Sequence, residues 1–346
     1  MNKKKEEEEA VDKQGHLTSA EIGNLWTSYM NNSMSTVMLS FMLQHIQDKE
    51  IKEAVQKSYD IAQRYLEEIR SFFEAEAYVM PDGFSEGDVH MDAPWLFSDI
   101  FCLTYVHHMS KVGMINYGGF LGMSRREDIR SFYTRLLSDT SSLYNHTTET
   151  AVSKGIHATY PYLEVPKEQE YIEGKRYLSG LNPLRNKRAL NAVEIAYLYM
   201  NILTNTIGEK LAIAFAQTSM SKEIQDYMIR GKDIATKHIK IFASTLEEND
   251  IVAARLPDLG VSGSTTRTFS DKLMMFHMSV LTAAGTGNYA LAAASSLRTD
   301  LALNYERLSL EVARYAKSGV EIMIKHNWME QPPETADRDK LSRKKE

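Results

Sequence analysis

Glu209, His238, His277 and Glu311 have the residue types of a metal-ligand set. Carboxylates and imidazoles on facing helices hold iron or manganese in oxidase-type bundles, so metal-dependent redox chemistry is one reading of this chain. The detailed pattern argues against it. Di-metal bundles draw a glutamate from each of two helices and Glu-x-x-His from each of the other two, and no Glu-x-x-His occurs in the sequence. At 1.5 Å per residue, Glu209 and His277 fall toward one end of a crossed-over bundle and His238 and Glu311 toward the other, roughly 10 Å away. A second set is polar without being a ligand set: Asn116, Tyr117, Tyr133 and Arg135, together with Asn288, Tyr289, Tyr305 and Arg307. With Gly113, Arg126 and Asp128 and with Gly285, Arg298 and Asp300, these residues suit an interhelical hydrogen-bond network, the favoured reading, or a polar pocket that binds a small molecule.

The two polar quartets are copies of one another. Residues 18–161 align with residues 191–333, so one unit occurs twice and each position has a counterpart that tests its role. Met30, Met34, Met38 and Met42, which could be soft-metal ligands, correspond to Leu203, Ile207, Leu211 and Phe215. Core packing tolerates that exchange and copper ligation does not. The metal-type set fares no better, because its counterparts are Thr36, Tyr65, Tyr105 and Asp139. His107 and His108 point to different helix faces and correspond to Ser279 and Val280.

Apolar residues spaced three and four apart predict four helices in each unit. The first unit gives α1 (17–45), α2 (49–78), α3 (99–123) and α4 (125–154); the second gives α5 (192–218), α6 (222–249), α7 (271–295) and α8 (297–327). An oxygen-bearing residue precedes each helix as a candidate N-cap: Thr18, Asp48, Ser98 and Ser124, then Asn191, Ser221, Ser270 and Ser296. Thr18 with Glu21, Asn191 with Glu194 and Ser124 with Glu127 read as capping boxes. The first and last pairs of helices in each unit are joined by a few residues, whereas the middle connection takes roughly twenty, longer than an ordinary helix–helix loop. Short, long, short implies two antiparallel hairpins and a crossover along the bundle, the ferritin-like arrangement. The expected fold is therefore all-α: two tandem four-helix bundles, each long enough to bury its own core, with their mutual packing left open. The expected divisions are a disordered tail at 1–16, a first bundle at 17–160, a linker at 161–189, a second bundle at 190–333 and a second tail at 334–346. The small-residue run 282–296 reads as a tight helix contact, with a membrane or oligomer surface as the sharper alternative.

Composition narrows the function classes. Net charge is −6 with pI about 6.0, which leaves no basic field for nucleic acid. The single Cys102 rules out an internal disulfide framework and suits a reducing, cytoplasmic setting. No signal peptide and no apolar run long enough to span a bilayer is expected. Phosphate-loop, Gly-x-Ser-x-Gly and His-Glu-x-x-His motifs are missing.

Two motifs repeat in both units: Phe97-Ser98-Asp99 with Phe269-Ser270-Asp271 at the start of the third helix, and Gly-x-x-Asn-Tyr at 113–117 and 285–289. On these, over nearly all of the chain except the tails, the sequence resembles the tandem ferritin-like proteins of endospore-forming bacteria. That family has no assigned function; its members are often labelled candidate spore coat proteins and are related to the coat protein F type. The resemblance implies a double bundle in a spore former, with spore coat or other proteins as partners and no known catalytic role. The expectation is a non-catalytic structural or interaction protein without a cofactor. The alternatives are an iron- or manganese-binding oxidase-type bundle and a small-molecule-binding bundle.

Overall fold

A computed structural model describes residues 15–181, 187–253, 256–257 and 259–343. Among the described residues eight long helices form two tandem bundles: α1 Ser19–His45, α2 Lys49–Ala75, α3 Asp99–Met123 and α4 Glu127–Ser153, then α5 Ala192–Thr218, α6 Lys222–Glu247, α7 Asp271–Ser295 and α8 Thr299–Lys325. A short α9, Arg338–Arg343, lies in the segment expected to be a tail, and residues 1–14 and 344–346 of the expected tails fall outside the described residues. The described residues hold two isolated β-bridges and no sheet. In each bundle the first two helices and the last two pack as hairpins, and the middle connection crosses over.

Helix ends follow local chemistry. Thr18–Glu21 and Asn191–Glu194 close reciprocal capping boxes, and Asp48, Ser98 and Ser270 also cap as expected. Ser221 is an N-cap without a side-chain bond. Ser124 and Ser296 are a correction. They close the preceding helices, donating to the Phe120 and Ala292 carbonyls, and α4 and α8 begin after Arg126 and Arg298. Four helices end alike: Ala77, Gly155, Asp250 and Asn327 take φ of 53, 68, 58 and 57°, and the next residue donates back to Phe73, Ala151, Leu246 and Met323 respectively. These are Schellman turns, each followed by an apolar residue: Tyr78, Ile156, Ile251 and Trp328.

How the two bundles pack, which the sequence leaves open, is set by their crossovers. Each crossover reaches the other bundle, and the contacts are reciprocal. Val89 bridges Phe269 while Phe97 bridges Val261, and each pair is the repeat image of the other. The His90 N–H donates to the Thr268 carbonyl at 2.8 Å, and its image, the Ser262 N–H, donates to Leu96 at 2.9 Å. Ser270 to Asp88 and Ser98 to Gly260 form a third such pair, both at 2.9 Å. Residue i touching j while j's image touches i's image is the signature of a two-fold interface, here built within one chain. Phe269 packs on Phe41 and Phe215, and Phe84 on Phe276, so one apolar core runs from the first bundle into the near part of the second. The far part of the second bundle has its own cluster around Phe242, Tyr289 and Tyr305. The methionines at 30, 34, 38 and 42 all lie in the shared core, 4% exposed or less.

Candidate functional site

The repeated polar residues fall into three groups in space. The first is a clip at the start of α1 and α4, repeated at α5 and α8. Glu21 is fully buried and accepts the Thr18 N–H at 2.8 Å, then the Arg125 and Arg126 N–H groups at 2.8 and 2.7 Å. One carboxylate therefore caps two helices, and it replaces the cap expected of Ser124. Arg126 forks onto Asp128 at 3.1 and 2.6 Å and bonds Glu76 at the end of α2. In the second bundle Glu194 accepts from Asn191 and Arg298 backbone and pairs with Arg188 through bonds of 2.6 and 2.7 Å. Arg298, also fully buried, forks onto Asp300. Burial alone would raise the pKa of Glu21. The Arg126, Thr18 and Arg125 groups outweigh it and hold the carboxyl below its usual range. Burial likewise raises that of Glu194, and Arg188, with the Asn191 and Arg298 N–H groups, holds it low.

The second group lies mid-bundle. In the first unit Tyr133 bonds Ser28 at 3.2 Å, Tyr117 turns to Asn32, and the two rings stack 6.5 Å apart. In the second, Tyr305 faces Asn201, the counterpart of Ser28, and Tyr289 bonds Asn205 at 2.8 Å. Burial pushes all four phenols up, Tyr117 to about 12, so they are neutral donors or acceptors, not nucleophiles. The second unit extends this network: Tyr289 meets His238 Nδ1 at 2.9 Å, and His238 Nε2 meets Glu311 at 3.1 Å. Lys237 completes it with two 2.6 Å bonds to Glu311. The chain lies where the second bundle's core divides in two. Its image in the first unit is Tyr65 on Asp139, 2.7 Å, held by Arg64.

The metal-type set does not assemble. His238 and Glu311 meet, but Glu209 accepts from Thr236, and His277 meets the Tyr105 hydroxyl at 3.2 Å. Tyr105 and His277 are repeat images of each other, so this contact sits at the two-fold. Among the described residues no three His, Cys, Asp or Glu side chains form a group able to hold an ion. The donor set of a ferritin-like di-metal centre does not fit these positions. The arginines expected beside the pocket point outward: Arg135 pairs with the Glu68 carboxylate and Arg307 donates to Asn304 at 2.8 Å.

The third group is the asparagine pair of Gly-x-x-Asn-Tyr. Asn116 and Asn288 part from their tyrosines and line a groove between α1, α3 and α7, where the two bundles meet. The glycines of that motif differ. A Cβ on Gly113 would meet Tyr117 and Thr140 at 3.1 and 3.2 Å, whereas one on Gly285 would meet nothing within 4 Å. The small-residue run is thus not a tight contact throughout: Ala283, Ala284 and Gly287 line the groove.

The other repeated motif is also accounted for. Phe97 and Phe269 are core residues, and Ser98 and Ser270 are caps. Asp99 accepts the Gln47 and Asp48 N–H groups at 3.0 and 2.7 Å, and Asp271 accepts the Ser219 hydroxyl at 2.6 Å. Each aspartate ties the end of the crossover to the turn between the first two helices of its own bundle. A protein-family model matches the chain twice, over residues 6–168 and 179–341. The chain belongs to the family DUF3231, described as a protein of unknown function. No curated protein matches it. A solved structure of a protein described as a candidate spore coat protein, from Bacillus halodurans, is similar at 14% identity and a TM-score of 0.40. That match covers 44% of this chain and 99% of the other.

What sequence reasoning missed in this DUF3231 chain is the reach of Glu21 and Glu194. Glutamate at the third position of a capping box gives no sign that a second helix start will land on it. The signal available was the pair of basic residues, Arg126 and Arg298, just ahead of α4 and α8.

Proposed function

We propose that this chain is a non-catalytic structural and interaction protein, two fused helical bundles associated with the spore coat or with sporulation. The observation that carries the reading is where the repeated polar groups spend their bonds. Glu21 and Glu194 cap helices, Tyr133 bonds Ser28, and Tyr289 bonds Asn205 and His238. Chemistry would need a base or nucleophile free to react, and these groups are committed to hydrogen bonds within the fold, the Tyr289 phenol also being held neutral by burial. The spore-associated part rests on the resemblance carried by the Phe-Ser-Asp and Gly-x-x-Asn-Tyr motifs.

The test follows the protein through sporulation. We expect it to accumulate as spores form and to extract with coat protein. Presence only in growing cells contradicts the coat reading. Elemental analysis of protein purified without chelator tests the catalytic alternative. Stoichiometric iron or manganese, lost in Glu209→Ala or His277→Ala, would overturn the non-catalytic reading in favour of an oxidase-type bundle.

A further inference from the structure

The groove between the bundles has a volume of about 530 Å³, within the range of small-molecule sites. Its lining includes no ionisable side chain. Trp26, Val112, Phe120 and Phe276 provide apolar walls, and Ala283 and Gly287 leave the space open on the α7 side. Inside this apolar surface sit the amides of Asn31, Asn116 and Asn288. Asn288 is only 8% exposed, yet among the described residues its side chain forms no hydrogen bond. An amide carries two donors and an acceptor with two lone pairs, so these groups face the groove with hydrogen-bonding capacity that the fold does not use. Asn116 and Asn288 are also repeat images, so the two-fold brings two equivalent amides to one cavity.

The opposite side of the two-fold carries larger residues, so the groove is not a necessary result of joining two bundles. There Ser279 and Ala283 are replaced by their images His107 and Lys111, both largely buried. Tyr199, the image of Trp26, is covered by Tyr160 with ring centroids 5.1 Å apart. The same backbone frame thus has one side lined by larger residues and one lined by small ones.

We infer that this groove binds one uncharged, largely apolar small molecule whose polar head, an amide or an alcohol, satisfies Asn288 and Asn116. The lack of charge in the lining disfavours fatty acids and other ions, because a charge placed there would lose its hydration without a counter-ion. This inference does not rest on the structural reading of the chain: a coat protein with or without a ligand leaves it unaffected.

The test uses the full chain and the neutral fluorophore N-phenyl-1-naphthylamine, displaced by decanamide, decanol and decanoate. We expect saturable one-to-one binding of the fluorophore. Decanamide and decanol should displace it at least about tenfold more effectively than decanoate, whose charge would lose its hydration without a counter-ion. Ala283→Trp should abolish binding, and Asn288→Leu should remove the preference for amide over an alkane of equal length while leaving the fluorophore bound. Absence of saturable binding, equal displacement by decanoate, or full binding in an Ala283→Trp variant that melts like the parent would each overturn it. Sedimentation supplies a further arm: a concentration-dependent dimer broken by Ala283→Trp means that a second copy covers the groove, and the inference fails.

Discussion

Buried histidines make this fold sensitive to acid. His277 is fully buried and its pKa is pushed down to about 3, His107 is pushed down to about 4, and burial also lowers His108 and His238. Each has a folded pKa below its unfolded value near 6.5, so the unfolded chain binds more protons as pH falls through that value. Stability is therefore fully present above about pH 7 and is lost progressively below it, and the low carboxyl pKa values of Glu21 and Glu194 add to the loss below about pH 4.5. Melting temperature measured from pH 8 to 5 should fall, and His277→Phe should flatten the slope; a melting temperature independent of pH would contradict the assignment. A second residue-scale prediction concerns Tyr289. Tyr289→Phe removes the partner of both Asn205 and His238 and should cost about 1–3 kcal/mol in urea unfolding. An unchanged unfolding midpoint would mean that the network is not structural. The residue roles were partly legible in the sequence. Duplication identified the Met stripe as core and separated caps from the Asn–Tyr–Arg sets. It could not show which of two partners a buried side chain takes, as Glu209 on Thr236 and His277 on Tyr105 illustrate, because that depends on the packing of distant helices.

At the scale of elements, helix ends and helix contacts carry the specificity. Ala77 holds φ of 53° at the end of α2, where the corresponding position after α4 is Gly155. A left-handed conformation costs a non-glycine residue roughly 1–2 kcal/mol, so Ala77→Gly should stabilise the chain by about 1 kcal/mol without changing its helical content. The α6–α8 contact behaves in the opposite sense. Tyr227 and Tyr315 stack at 4.3 Å, and each hydroxyl lies over a glycine of the other helix. A Cβ on Gly231 would fall 2.3 Å from the Tyr315 hydroxyl, and one on Gly319 as close to Tyr227. Gly231→Ala should cost about 1–3 kcal/mol by overpacking, read as a lower urea midpoint; no change would show that the stacked pair shifts freely. Helix existence and order were legible from periodicity and loop length. The starts of α4 and α8 were not, because Ser124 and Ser296 suit either the end of one helix or the start of the next.

At the scale of the whole molecule, the exchange of crossovers makes the two bundles interdependent. Val89, Phe97, Val261 and Phe269 join them through backbone pairing, and Phe41, Phe215 and Phe269 share one core. The sequence showed the duplication but hid this interlock: a repeat looks the same whether its copies stand apart or embrace, and the reciprocal pairing is made by loops with no helical pattern. The central claim is that buried, repeated polar groups hold a single cooperative body together. Its most direct test is hydrogen exchange, followed peptide by peptide, in Glu194→Gln, which weakens the clip of the second bundle alone. The account predicts that core amides of α1–α4 lose protection along with those of α5–α8, by a common opening free energy. Protection kept in α1–α4 while α5–α8 exchange freely would contradict it.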